Sequence, residues 1–397
     1  MAGLFDPAVI GPFWLKNRFV RAATAECMAD DRGLVSTRLI SLYSRLAEGD
    51  VGLLITGGAY VHPSGRSYVG VTGAHDDSTI PGLSALTEAV HQRGARIVLQ
   101  LYHCGRQGEA QAVGGALVAP SALPDRLVRV RPRALSPEEI EALIVAFADA
   151  ARRARDAGFD GVEILAANGY LINQFLSPHF NRREDEWGGS LANRMRFLLR
   201  VFRAARKAAG PDLAVLVKLT VSDFVRGGLT PEESLAVARE LAAEGVDAVE
   251  ITGGTLETIF HMSRGEIPVE QILSSRPASG LGPVVRHLVR AAATTMQGRV
   301  KFEEAYFARY AAAVREATGV PVILVGGLRS PQLMEQLLHQ GKADLVAMAR
   351  PFVREPYFVR RLRAGDDRPA LCRSCNRCLV RVADGDGLHC FGDQKDR

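Results

Sequence analysis

The sequence predicts an α/β fold made of a single closed (β/α)₈ barrel, a TIM barrel. Three observations point there. Eight short β-branched runs alternate with longer helical patterns, most of those runs are almost continuously apolar, and no Gly-rich turn follows the first of them. Apolar runs without polar alternation suit parallel strands covered on both faces. An open nucleotide-binding sheet would carry G-x-G-x-x-G or a Walker motif, and neither occurs. At 397 residues the length allows two or three ordinary domains, but α/β barrels of this size fold as one.

In chain order the strand candidates are residues 19–22, 51–56, 96–101, 161–165, 214–219, 248–252, 320–325 and 344–348. Helix starts between them are explicit. Ser136-Pro137-Glu138-Glu139 and Thr230-Pro231-Glu232-Glu233 both read as capping boxes with Pro at the first helical position. Two stretches fall outside a simple barrel. Residues of about 257–300 form a long insertion after strand six, with an amphipathic helix candidate over 284–296. Two placements are open for that helix: on its own barrel, or against a second copy in a homo-oligomer. The barrel is expected over 1–363, with a cysteine-containing tail over 364–397 packed on it.

A composition of 47% hydrophobic and 23% charged residues excludes a disordered or collagen-like chain. No apolar run reaches the roughly 18 residues of a membrane span, and the start lacks the charged and apolar regions of a signal peptide. The expected setting is therefore cytoplasmic, with no membrane partner. A net charge of +5 spread over this length does not imply nucleic acid. Arg126, Arg129, Arg131 and Arg133 alternate with Leu and Val, as in an exposed hairpin. Cys372, Cys375, Cys378 and Cys390 crowd the C-terminus, whereas Cys27 and Cys104 stand alone. Without an export signal, the cluster reads as a metal site or reduced thiols before disulfides.

Function in a barrel collects where strands end and loops begin. Those places hold Ala23-Thr24-Ala25-Glu26-Cys27, Gln100-Leu101-Tyr102-His103, Ala167-Asn168-Gly169-Tyr170, Lys218, Thr252-Gly253-Gly254, Gly326-Gly327 and Met348-Ala349-Arg350. Glycines after strand seven let backbone N–H groups approach an anion, and Arg350 offers a fixed fork for a phosphate. Gln100 and Lys218 would point polar groups at the same mouth, where a planar heterocycle could lie.

At these positions the chain resembles the Old Yellow Enzymes, a family of flavin-dependent ene-reductases. Gly11-Pro12-Phe13-Trp14-Leu15-Lys16-Asn17-Arg18 is similar to the family's opening motif, and Gln100-Leu101-Tyr102-His103-Cys104-Gly105-Arg106 to its third-strand motif. Asn168-Gly169-Tyr170-Leu171-Ile172-Asn173-Gln174-Phe175-Leu176-Ser177-Pro178 resembles its long signature, continued by Asn181-Arg182-Arg183 and Trp187-Gly188-Gly189-Ser190. The resemblance runs from Leu4 to about Tyr357 and implies FMN at the barrel mouth, with NAD(P)H as co-substrate. By position, Ala23 and Thr24 would lie along the flavin edge and Gln100 would bond the pyrimidine ring. Lys218, where many members carry Arg, would place positive charge near N1 and O2. Gly326, Gly327, Ala349 and Arg350 would hold the phosphate. The implied reaction passes a hydride from NAD(P)H through FMN to an electron-poor alkene, with Tyr170 as proton donor and Asn168 on the substrate carbonyl.

Two departures stand out. Where the family commonly has a His that shares the carbonyl with Asn168, this chain has Leu165, which cannot donate a hydrogen bond. Tyr102, His103 and His261 are the candidate replacements. The chain also resembles 2,4-dienoyl-CoA reductases, which share an apolar residue at that place and bind an iron–sulfur cluster. The spacing here, C-x₂-C-x₂-C-x₁₁-C, is one residue short of theirs between the second and third cysteines. Four thiolates could hold [4Fe–4S] or zinc, or pack the tail unligated. A chain of this length has no room for the second flavin domain that feeds such clusters. Ala25 matches the flavin-tuning position of many relatives, so Cys27 is read as structural. Alternatives to alkene reduction are amine dehydrogenation or demethylation, and a flavin-binding sensor or subunit with little turnover.

Overall fold

The computed structural model describes residues 2–124, 130–275, 278–382, 385 and 387–392. Eight parallel strands form a closed ring: β1 (Phe19–Arg21), β2 (Leu53–Ile55), β3 (Arg96–Tyr102), β4 (Gly161–Ala166), β5 (Ala214–Thr220), β6 (Ala248–Thr252), β7 (Val322–Val325) and β8 (Leu345–Met348). Each pairs with the next, and β8 closes on β1 with Val346 opposite Phe19. The barrel expected from the sequence is present.

Eight helices surround it: α1 (Thr37–Glu48), α2 (Ile80–His91), α3 (Pro137–Asp156), α4 (Leu191–Ala209), α5 (Pro231–Ala243), α6 (Ala308–Thr318), α7 (Pro331–His339) and α8 (Phe358–Arg363). Both capping boxes form. In α3, Glu139 N donates to Ser136 Oγ at 3.3 Å and Ser136 N donates to Glu139 Oε2 at 2.8 Å. The corresponding pair at the start of α5 joins Thr230 and Glu233. Aromatic side chains fill the seam between α3, α4 and the loop after β4, with Phe175 and Phe197 at 4.5 Å between ring centroids and Trp187 edge-on to Phe175.

Strand side chains alternate between two cores. Ile97, Val162, Val215, Val217 and Val249 pack outward on the helices, while Val98, Ala214, Leu216, Ala248, Ile323 and Leu345 pack inside the ring. A hairpin of Ala8–Ile10 against Phe13–Leu15 adds Ile10, Phe13 and Leu15 to that inner core. This hairpin carries the opening motif and closes one end of the barrel.

Half of the arginine-rich stretch expected as a hairpin cannot be compared with the fold. Arg126 and Arg129 lie outside the described residues. The next residues pair in parallel, Arg133–Ala134 with Val118–Ala119, and parallel neighbours cannot be two arms of a hairpin. Arg133 grips Glu139 through two bonds of 2.7 Å, so it anchors the start of α3. The insertion contains a helix over Pro283–Arg299. No residue of it is buried, and Val284 and Leu288 are 75% and 60% exposed, so it does not rest an apolar face on its own barrel. No helix among the described residues is long and apolar enough to cross a membrane.

Candidate active site at the barrel mouth

A cavity of about 290 Å³ opens where the strands end. All ten residues expected to bind FMN or act on the substrate line it: Ala23, Thr24, Gln100, Asn168, Tyr170, Lys218, Gly326, Gly327, Ala349 and Arg350. Backbone after β1 and the Gly326-Gly327 turn after β7 form parts of the wall, and the insertion and tail contribute Met262, Cys378, Leu379 and Val382. Gly326 and Gly327 have φ of 143° and 74°, a region that side-chain-bearing residues avoid.

The floor is polar although it lies inside a barrel. Gln100 Nε2 donates to Glu163 Oε1 at 2.6 Å, and Lys218 Nζ donates to Glu250 Oε1 at 2.8 Å. Both glutamates are fully buried. Their positions follow from strand alternation: Gln100 is opposite Glu163, and Lys218 is opposite Glu250. Neither glutamate was singled out from the sequence.

Tyr170 follows β4 and packs edge-on against Tyr102, with ring centroids 5.2 Å apart. Burial raises its phenol well above the ordinary value, so it stays protonated. Its hydroxyl makes no hydrogen bond among the described residues and faces the cavity. Asn168 is held in the left-handed region at φ 59°, with its N–H donating to Thr220 Oγ1 at 3.0 Å. Its Nδ2 reaches Thr252 Oγ1 at 3.4 Å. Leu165 forms the adjoining wall.

The candidates to replace the missing His separate clearly. His103 is buried away from the cavity, accepting from Gly105 N at Nδ1 and bonded to Ser64 Oγ at 3.0 Å. Desolvation pushes its pKa down to about 3, so it is a neutral structural ring. His261 stacks on Phe224 and does not line the cavity. Tyr102 does line it, but its hydroxyl is engaged by Ser67 Oγ at 2.8 Å. Thr252, a hydroxyl at the end of β6 that was not among the candidates, lines the cavity beside Asn168. Cys27, read as structural, stands on the cavity wall, where desolvation and Glu26 push its thiol up to about 12.

Arg350 is 9% exposed, so it is no surface cation. Its Nη1 donates to Arg264 O at 2.9 Å and to Asn376 Oδ1. Arg329 also lines this end of the cavity, and its buried Nε has no hydrogen-bond partner among the described residues. That orphaned donor, the two arginines and the glycine turn fit a phosphate. The Gln100–Lys218 floor fits the polar edge of a flavin.

Behind Arg350 lies a second cavity of about 30 Å³. Cys372, Cys375, Cys378 and Cys390 all line it, and all are free thiols. Among the described residues no three or more His, Cys, Asp or Glu groups are arranged to hold a metal. The thiols are gathered on one cavity without converging on a point.

A family model described as NADH:flavin oxidoreductase / NADH oxidase matches residues 3–270 and 284–368. Among curated relatives, the "Metal reductase" of Desulforamulus reducens is 36% identical over 96% of this chain. This chain spans about half, 52%, of that relative's length. Among solved structures, a 2-naphthoyl-CoA reductase complex superposes with a TM-score of 0.82 at 30% identity, over 96% of this chain and 56% of that one. An old yellow enzyme homologue from Zymomonas mobilis gives 0.71 at 25% identity, covering 92% of this chain and 93% of its own.

Proposed function

The chain belongs to the NADH:flavin oxidoreductase / NADH oxidase family, and we propose that it reduces the activated C=C bond of an α,β-unsaturated carbonyl or thioester. FMN held there would supply the hydride chemistry between NAD(P)H and the alkene. The observation that carries the reading is the protonated, unbonded Tyr170 hydroxyl facing a cavity whose floor is Gln100 and Lys218.

Each residue has a task set by its surroundings. Ala23, Thr24 and Gln100 would hold the flavin edge, and Gly326, Gly327, Ala349 and Arg350 its phosphate. Lys218 brings positive charge to the floor, which favours a site where negative charge develops. Asn168 orients the substrate oxygen. Because the Asn168 amide donates to Thr252 Oγ1, the Thr252 O–H is free to donate to that same oxygen, the task Leu165 cannot perform. Tyr170 delivers the proton to the substrate carbon.

The test is to load the protein with FMN and follow its visible spectrum anaerobically. NADH or NADPH should bleach it, and a cyclic enone or dienoyl thioester should restore the colour. Thr252→Val should slow recolouring by about 10²-fold, as for a lost oxyanion donor, and leave bleaching unchanged. Failure to bind FMN would sink the reading. Bleaching by amines would replace it with amine oxidation, and bleaching that no acceptor reverses would replace it with a sensor.

The four tail cysteines are proposed as a metal ligand set, [4Fe–4S] or zinc, on their donor chemistry alone: four thiols line one small cavity, and a bound centre would have to draw them together from their unconverged arrangement. Metal analysis should find iron or zinc in stoichiometric amount, and Cys375→Ser should lower it. Metal-free protein with reactive thiols would refute the assignment.

A further inference from the structure

The carboxyl groups of Glu163 and Glu250 come from β4 and β6, the two neighbours of β5, and lie close enough to interact directly. Each uses Oε1 on a neighbour, Glu163 on Gln100 and Glu250 on Lys218. Each leaves Oε2 buried without a hydrogen-bond partner among the described residues. Two orphaned oxygens on adjacent carboxyls lack a donor, and a single proton between them satisfies both.

The charges around the pair agree. Lys218 is the ammonium that faces it from β5. Arg21 approaches Glu250 from β1 but is matched by its own partner, Glu26, at 2.7 Å, with Tyr43 beside them. Tyr306 lies within the field of Lys218, and burial raises its phenol, so it is neutral. Two carboxyls therefore stand against one uncommitted cation. Like charges this close cannot both ionise in a buried site.

We propose that Glu163 and Glu250 share one proton, with Glu163 as the acid and Glu250 as the carboxylate. Together with Lys218 they make a neutral, fully bonded layer that positions the Lys218 ammonium and the Gln100 amide toward FMN. Burial and the neighbouring Glu250 both push the Glu163 carboxyl upward. They are positioning residues, since only Gln100 and Lys218 of this layer line the cavity.

The test begins with infrared spectra of the wild-type protein near pH 8. A protonated-carboxyl C=O band is expected there and should vanish in Glu163→Gln. Its absence from the wild type, or its survival in the variant, overturns the proposal. Stability without cofactor is a second readout. A raised carboxyl is stabilising while protonated and loses that contribution as pH climbs toward its folded value. The thermal midpoint of the apo wild type should therefore fall relative to Glu163→Gln between about pH 5 and 8; parallel curves overturn it. For positioning, the midpoint potential of bound FMN should rise in Glu163→Gln/Glu250→Gln, where Lys218 has no carboxylate, and stay at the wild-type value in Glu163→Gln. Equal potentials in all three refute the positioning role. If the double variant does not fold, the infrared comparison still decides whether the proton is shared.

Discussion

Replacing Tyr170 by Phe is expected to slow reoxidation by an alkene about 10²–10⁴-fold while NAD(P)H bleaches the protein at its normal rate. The substitution removes one hydroxyl that makes no hydrogen bond among the described residues and keeps the ring that packs edge-on against Tyr102. Little stability should be lost, so the effect isolates the proton. Anaerobic rapid mixing separates the two half-reactions. An unchanged acceptor rate would mean that the proton comes from elsewhere, and a loss in both halves would mean that the ring positions the cofactor.

Arg21→Met is expected to destabilise the fold by about 3–5 kcal/mol, because it strands a buried carboxylate. Arg21 is 2% exposed at the end of β1. It donates to Glu26 Oε1 and to Ile55 O, both at 2.7 Å. Glu26 keeps the Tyr43 hydroxyl at 2.5 Å and Gly57 N at 3.0 Å, but no cation. Adding Glu26→Gln should recover much of the loss, since an uncharged amide can stay buried at lower cost. Denaturant unfolding of the two variants checks this. A single variant as stable as wild type would show that water reaches Glu26.

The two sites differ in how far the sequence disclosed them. All eight strands were legible because a parallel barrel strand is apolar on both faces, and the helix starts because capping boxes are local chemistry. The ten residues that line the cavity were legible because strand ends and a long signature bring them to the barrel mouth. Glu163, Glu250 and Arg21 were not. A charge within an apolar run gains meaning only when the ring closes and its neighbours on other strands arrive. The same limit explains His103 and His261. A loop sequence gives the residue type but not the face it turns to the cavity, and both rings turn away. The hairpin near the N-terminus went unread because its three-residue strands are shorter than any periodicity can register.

Asn376, a residue of the tail, is 1% exposed. Its Nδ2 donates to the carbonyls of Ser263 and Glu266, both at 2.9 Å, while its Oδ1 accepts from Ser263 Oγ and Arg350. Gly265 passes so near that a Cβ there would stand 2.0 Å from Ser374 O. One amide thus knots together three stretches, with Ser263 lying 113 residues before it. Contacts so distant along the chain repay their loop-closure entropy only after the intervening β7 and β8 are in place. The order of assembly follows. The vessel is expected to form first and its cover to settle last, leaving the mouth open to an incoming cofactor through most of folding.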